Sequence, residues 1–224
     1  APPSLSATAS RNLSAKQKRS LKEIYNGNER MIKLINVMLN ISRLEAGKVK
    51  INYSMEDIKE LLESIIKEQK FGSRAKKHKF SFECPDGLPK LAIDPELIRM
   101  VFQNLLSNAI KYTPNEGEIS LKLERKNDNL LFEIKDNGIG IPKTQQGKIF
   151  GKLFRADNAF SSATEGNGLG LYAAKMTIER FGGKMWFESK EGAGTSFFVE
   201  LPIATELPAQ KAEPGVELKT LIKT

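Results

Sequence analysis

The feature that most limits this chain is an apolar stripe too wide for one helix to keep to itself. Between Leu13 and about Ala46, Leu21, Ile24, Asn28, Met31, Ile35 and Met38 recur at three- and four-residue spacing, and Ile32 and Leu39 widen the stripe. That period predicts one long helix over residues 13–46. Ser14 stands where an N-cap belongs and Gly47 where a helix ends. A lone helix with such a face is not stable in water, so partner helices are required, in a bundle or a dimer. The twelve residues before it, Ala1 to Asn12, are small, polar and Pro-containing and read as a loose leader.

After Gly47 the period switches. Lys48 to Tyr53 alternates like a strand, Met55 to Phe71 reads as a helix, and Lys79 to Glu83 alternates again. Asp94 caps a helix over Pro95 to Tyr112, with Pro95 at its first position. Gly117–Arg125 and Asn129–Lys135 form a hairpin around Lys126-Asn127-Asp128. Lys143–Phe154 is weakly helical, and the stretch from Ile141 to Gly166, with its small polar Ala156–Gly166 part, is expected to be a mobile lid. A helix over Leu169–Arg180 ends at Gly182-Gly183, and strands over 184–189 and 195–201 follow. The expected architecture is a two-layer α/β sandwich over residues 47–203 preceded by the bundle-forming helix, with 204–224 as a flexible tail.

Composition narrows the functional classes. With 40% hydrophobic residues in 224, there is material for a real core. The net charge of +8 is spread among acidic residues, and its densest run, Arg74-Ala75-Lys76-Lys77-His78-Lys79, has no interleaved aromatics. That run reads as a solvated loop with His78 exposed, and no nucleic-acid partner is expected. The single cysteine, Cys84, has no internal disulfide partner and reads as a half-buried thiol in a reducing compartment. No apolar run approaches the roughly 20 residues of a membrane span, and no secretory signal is visible. A soluble chain is expected, which leaves room for a membrane-anchored sensor in a longer parent.

Four motifs carry chemistry. Asn104, Asn108 and Lys111 share one helix face, beside a face of Ile98, Val101, Leu105 and Ala109 that packs inward. Asparagine is a poor helix former, so two of them one turn apart need a local reason. Amide oxygens suit Mg²⁺ and a lysine suits phosphate, although two exposed amides on a surface helix give the same pattern. Asp136-Asn137-Gly138-Ile139-Gly140-Ile141-Pro142 follows a strand directly and offers an acceptor at its end, as a plain turn also would. Gly166-Asn167-Gly168-Leu169-Gly170-Leu171 opens a helix, whose free amides attract phosphate. Gly192-Ala193-Gly194-Thr195 leads into the last strand.

In this order and spacing the motifs resemble the N, G1, G2 and last glycine boxes of the catalytic domain of sensor histidine kinases. Phe150–Phe154 is similar to the F box. The segment Leu39–Gly47 resembles the end of the second helix of that family's dimerisation and phosphotransfer domain. The resemblance implies the Bergerat ATP-binding fold, with ATP and Mg²⁺ as cofactors. It implies that Asp136 accepts from the adenine amino group, with Thr195 supporting it through water. Asn108 would coordinate Mg²⁺, and Asn104 would help hold the metal–phosphate end. Lys111 and Tyr112 would line the phosphate side, and Gly138, Gly140 and Ile141 the base. Gly168 and Gly170 would let backbone amides contact the phosphates, with Gly166, Leu169 and Leu171 among the nucleotide-binding residues, and Arg155 would neutralise the γ-phosphate. Asn104, Lys111 and Arg155 are thus the expected catalytic residues. Hydrolysing members of the wider superfamily (gyrase, Hsp90, MutL) carry a glutamate at the position of Asn104. An amide is no general base, which favours transfer over hydrolysis.

The chain departs from the family in having no phosphoacceptor histidine with an acidic successor, since its one histidine is His78. The expected function is therefore a histidine protein kinase catalytic region, cytoplasmic, whose acceptor histidine lies outside this chain, and which passes phosphate on to a response regulator receiver domain. A homodimeric parent is expected, and the isolated chain is not expected to autophosphorylate. Two reasons for the missing acceptor stand side by side: a fragment that starts after the acceptor helix, or a natural chain that phosphorylates a histidine on another protein. An anti-sigma-factor-type serine kinase and an ATP-sensing interaction module are the alternative functions.

Overall fold

The computed structural model describes residues 14–73, 76–158 and 167–207. The expected leader, most of the expected tail, Arg74 and Ala75 of the basic run, and positions 159–166 of the expected lid, Gly166 among them, lie outside the described residues.

Helix α1 spans Ala15–Glu45. Ser14 begins it with a reciprocal pair: its Oγ accepts from the Gln17 N–H at 3.3 Å, and the Gln17 side chain accepts from the Ser14 N–H at 2.9 Å. At the other end, the Lys48 N–H closes back on the Arg43 carbonyl at 2.9 Å across Gly47. Leu21, Ile24, Met31, Ile32, Ile35, Met38 and Leu39, with Tyr25, stand between 40% and 60% exposed, so the apolar stripe has no cover among the described residues. The last turns of α1 do meet the remaining fold. Ile41 packs with Leu169 and Ala173, flanked by Leu34 and Tyr172. Glu45 pairs with Lys152 at 2.5 Å and accepts from the Tyr172 hydroxyl.

The sandwich follows. Five strands, β2 (Lys79–Glu83), β4 (Glu118–Lys126), β5 (Asn129–Asp136), β6 (Lys184–Lys190) and β7 (Gly194–Pro202), form one sheet in the order β2-β4-β5-β7-β6. The β2–β4 pair is parallel and the rest are antiparallel. Helices α2 (Ile58–Ser73), α3 (Pro95–Tyr112) and α4 (Gly170–Arg180) pack against this sheet. Alternation along β4 and β5 sends Ile119, Leu121, Leu123, Leu130, Phe132 and Ile134 inward, where they meet Ile98, Val101, Phe102, Leu105 and Ala109 of α3. Phe102 and Phe132, both without solvent exposure, anchor that contact with ring centroids 4.9 Å apart. Asp94 caps α3 as expected. Its Oδ1 accepts from the Glu96 and Leu97 N–H groups, and its Oδ2 takes the Asn52 N–H at 2.8 Å.

Four local expectations are corrected. Lys48–Tyr53 makes a single bridge at Val49, and the strand beyond it is β1 (Ser54–Glu56), paired antiparallel with β3 (Leu91–Ile93) in a separate two-stranded sheet. The alternation fails there because the Asn52 amide is spent on Asp94. The helix expected from Met55 begins at Ile58. Of Lys143–Phe154, one 3-10 turn at Gln146–Lys148 forms. The basic run is not simply solvated. Lys76 Nζ donates to the carbonyls of Ile110, Lys111 and Thr113 at 3.0, 2.7 and 3.1 Å, and burial lowers its ammonium pKa. His78 is half-buried, its Nε2 3.3 Å from the Thr113 carbonyl. Both side chains gather at the C-terminus of α3, where four carbonyls lack helical partners and the dipole is negative.

Candidate nucleotide site

One cavity opens between α3, the end of β5 and the start of α4. Asn104, Asn108 and Lys111 line it from three successive turns of α3, with Tyr112 at the helix end. They reach it because the neighbouring face of α3 is held in the core by Leu105, Leu106 and Ala109. From the opposite side come Asp136, Gly140, Ile141 and Thr195, and the third wall is Arg155, Gly168, Gly170 and Leu171. The four separated motifs thus converge on one hollow.

Asp136 ends β5 on the inward side of the sheet, so it is buried, 7% exposed. Burial pushes its carboxyl up to about 6, against the pull of hydrogen bonds from the backbone N–H groups of Gly138 and Thr195. The Gly138 bond is 2.9 Å. This is a buried acceptor facing the cavity, with more demand for a donor than two amides satisfy. The loop after it needs glycine at Gly140, whose φ is +64° and whose added Cβ would stand 2.0 Å from the Lys190 carbonyl.

The far end of the cavity is built from the start of α4. Its first turn carries no side-chain cap, so its amides remain available to an anion. Gly170 lets that turn approach α3: a Cβ there would lie 2.8 Å from the Asn104 Oδ1. Asn104 therefore stands beside the start of α4, with Asn108 one turn further along the same cavity wall. Two amide oxygens fit a cation that takes most of its ligands from phosphate and water.

Two expected site residues among the described ones do not line the cavity. Leu169 turns the other way and is buried on Ile41 and Ala173, fastening the start of α4 to α1. Gly138 lies under the Tyr112 carbonyl, which would be 2.5 Å from a Cβ. Gly166 is outside the described residues. Thr195 supports Asp136 through its backbone N–H, while its hydroxyl lies 2.9 Å from Ser189 Oγ. The wall also holds Ser107, Ile139, Ile149, Phe154, Ala156, Asn158, Asn167 and Phe197. Phe197 was legible as the next inward position after Thr195, and Ile139 as part of the glycine loop. Nothing local marks Asn158, whose Nδ2 donates to the Gly140 carbonyl at 3.0 Å.

An α/β sandwich with a buried acceptor at one end of its cavity and amide, lysine and helix-start groups at the other is a nucleotide-binding domain of the Bergerat type. Residues 93–205 match the family described as histidine kinase-, DNA gyrase B- and HSP90-like ATPase, and the chain belongs to that family. The circadian input-output histidine kinase CikA of Synechococcus elongatus is 29% identical over 92% of this chain and 28% of its own length. The sensor histidine kinase WalK of Bacillus subtilis is 34% identical over 84% of this chain and 31% of its own. The chain thus spans less than a third of these relatives. Among solved structures, full-length ShkA in complex with AMPPNP shares the fold with a TM-score of 0.75 at 23% identity, over 90% of this chain and 42% of that one. The histidine kinase ThkA in complex with the response regulator TrrA does so with a TM-score of 0.68 at 23% identity, over 87% and 53%. No helix among the described residues is long and apolar enough to cross a membrane.

Proposed function

We propose that this chain is the catalytic region of a histidine protein kinase: it binds Mg²⁺–ATP and transfers the γ-phosphate to a histidine on a dimerisation domain, for relay to a response regulator. The observation that carries this reading is the pair of ends of one cavity. A buried carboxylate suits an adenine amino group, and Asn104 stands at the phosphate end where a hydrolase needs a carboxylate.

In this reading Asp136 binds the base and the first amides of α4 bind phosphate. Asn108, with Asn104, would hold the Mg²⁺ ion, which supplies charge neutralisation at the phosphates. Lys111 and Arg155 add positive charge at the same end, the kind of electrostatic stabilisation that dominates phosphoryl transfer. Asn104 can orient and hydrogen-bond but cannot take a proton from water, so the bound γ-phosphate waits for another nucleophile. We assign residues 13–46 to the dimerisation domain's second helix and 47–203 to the ATP-binding domain. The exposed stripe of α1 would be covered by the acceptor helix and a second protomer, giving a homodimeric parent.

The test is transfer onto an added dimerisation domain carrying the acceptor histidine, with γ-labelled ATP and Mg²⁺. The reading requires acid-labile, base-stable label on that domain at a rate rising with its concentration, lost in Asn108→Ala. Label on serine instead would favour the serine-kinase alternative, and ATP binding with no transfer to any such domain would favour a sensing module.

A further inference from the structure

The hydroxyl of Ser189 sits at a junction of the base side of the cavity without belonging to its wall. Ser189 is the inward, half-buried residue near the end of β6, directly across from Thr195 in the sheet. Its Oγ lies 2.9 Å from each of three groups: the Ile141 N–H, the Gly194 carbonyl and the Thr195 hydroxyl. A serine hydroxyl has one proton and two lone pairs. The Gly194 carbonyl can only accept, so the serine proton goes there. The Ile141 N–H can only donate, so it takes one lone pair. The remaining lone pair faces Thr195, and the Thr195 hydroxyl must donate to it. Gln146 braces the same corner, its Nε2 donating to the carbonyls of Ile141 and Ser189 at 3.0 Å each.

The consequence lies one residue away. Thr195 lines the cavity beside Asp136. With its proton turned to Ser189, its oxygen has only lone pairs left for the cavity. Ionised Asp136 is also only an acceptor. We infer that Ser189 is a positioning residue for base selection: by holding the Thr195 proton, it leaves two acceptors and no hydroxyl donor at this corner. A base edge bearing an amino group in direct contact matches that corner. A base bearing a carbonyl oxygen there meets acceptor against acceptor. The inference rests on the reading of the cavity as an adenine-nucleotide site.

The experiment titrates the chain with ATP and with inosine triphosphate, which has a carbonyl in place of the amino group, in the presence of Mg²⁺. In Ser189→Ala the Thr195 hydroxyl is free to turn its proton into the cavity and donate to that carbonyl. The ATP-to-ITP affinity ratio should fall about tenfold, the size of one hydrogen bond made or lost. Ser189→Thr, which keeps the hydroxyl, should restore the wild-type ratio. Equal weakening of both nucleotides in Ser189→Ala, or an unchanged ratio, would mean that Ser189 only braces the loops, and overturns the inference alone. Wild-type chain that binds neither nucleotide overturns the adenine reading and this inference with it.

Discussion

Replacing Asp136 by asparagine should separate binding from stability, because the carboxylate costs the free protein something that the ligand repays. The carboxyl is raised from its usual 3.8 to about 6 by burial. Between pH 4 and 6 the folded chain therefore keeps a proton that the unfolded chain has released, so stability of the free protein falls as pH rises through that window and levels off above it. The displacement corresponds to about 3 kcal/mol at neutral pH. Asparagine removes that penalty but offers the Gly138 and Thr195 N–H groups a weaker, neutral acceptor and brings an NH₂ group that must itself be buried, at about 1–3 kcal/mol. The net change in unfolding free energy at pH 7.5 should lie within about 2 kcal/mol of wild type, and the fall between pH 4 and 6 should disappear. ATP binding should suffer: a hydrogen bond to a charged acceptor is worth about 1.5–3 kcal/mol, so the Kd should rise about tenfold or more. Urea unfolding across pH and calorimetric titration of ATP measure the two effects. Wild-type affinity in the variant would remove Asp136 from the base site. A loss of stability well beyond about 4 kcal/mol would show that the carboxylate is a structural support and that the sign of its contribution has been misjudged.

Further predictions follow from single contacts. Gly170→Ala should leave thermal stability equal or higher, since alanine favours helix by about 1 kcal/mol. Its Cβ would crowd the Asn104 amide, so Mg²⁺–ATP affinity should fall, and unchanged affinity by titration would detach Asn104 from the phosphate end. Lys76→Met removes the ammonium donor from the carbonyls of Ile110, Lys111 and Thr113 at the C-terminus of α3 and should lower the urea midpoint by an amount equivalent to about 1–3 kcal/mol; an unchanged midpoint would refute the clamp. Phe132→Ala, at a fully buried site against Phe102, should cost about 3–5 kcal/mol in the same assay, and a cost below 1 would contradict its place in the core. Asn104→Glu should raise phosphate release modestly, since it supplies a base without tuned positioning; no increase with ATP still bound would count against the explanation of slow hydrolysis.

The long periodic elements were legible because burial writes a period into them. Ile98, Val101, Leu105 and Ala109 announced the buried face of α3, and so placed Asn104, Asn108 and Lys111 on the face beside it. Asp94-Pro95 gave its start. The hairpin of β4 and β5 followed from alternation that breaks at Asn127-Asp128. What failed was short or long-range. Leu91-Ala92-Ile93 is buried on every position, so a three-residue strand leaves no alternation to read. Lys76 and His78 looked solvated because their partners, the last carbonyls of α3, lie more than thirty positions away in sequence. Leu169 sits inside a phosphate motif, yet its neighbour Gly170 faces the cavity while Leu169 faces Ile41. Ser189 carries no local signal at all, since its hydroxyl joins the glycine loop at Ile141 to the first residues of β7 and its role depends on counting protons at that junction.

The claim that the bound γ-phosphate waits for a histidine and not for water is tested most directly by its partition. In one reaction with labelled ATP, Mg²⁺, this chain and a dimerisation domain bearing the acceptor histidine, the label is divided between acid-labile phosphoprotein and free phosphate during the initial phase. The account predicts that phosphohistidine on the added domain predominates, that His78 stays unlabelled, and that Asn104→Glu shifts the division toward free phosphate. Free phosphate as the main product of the wild-type chain, or label on His78 abolished by His78→Ala, would contradict it.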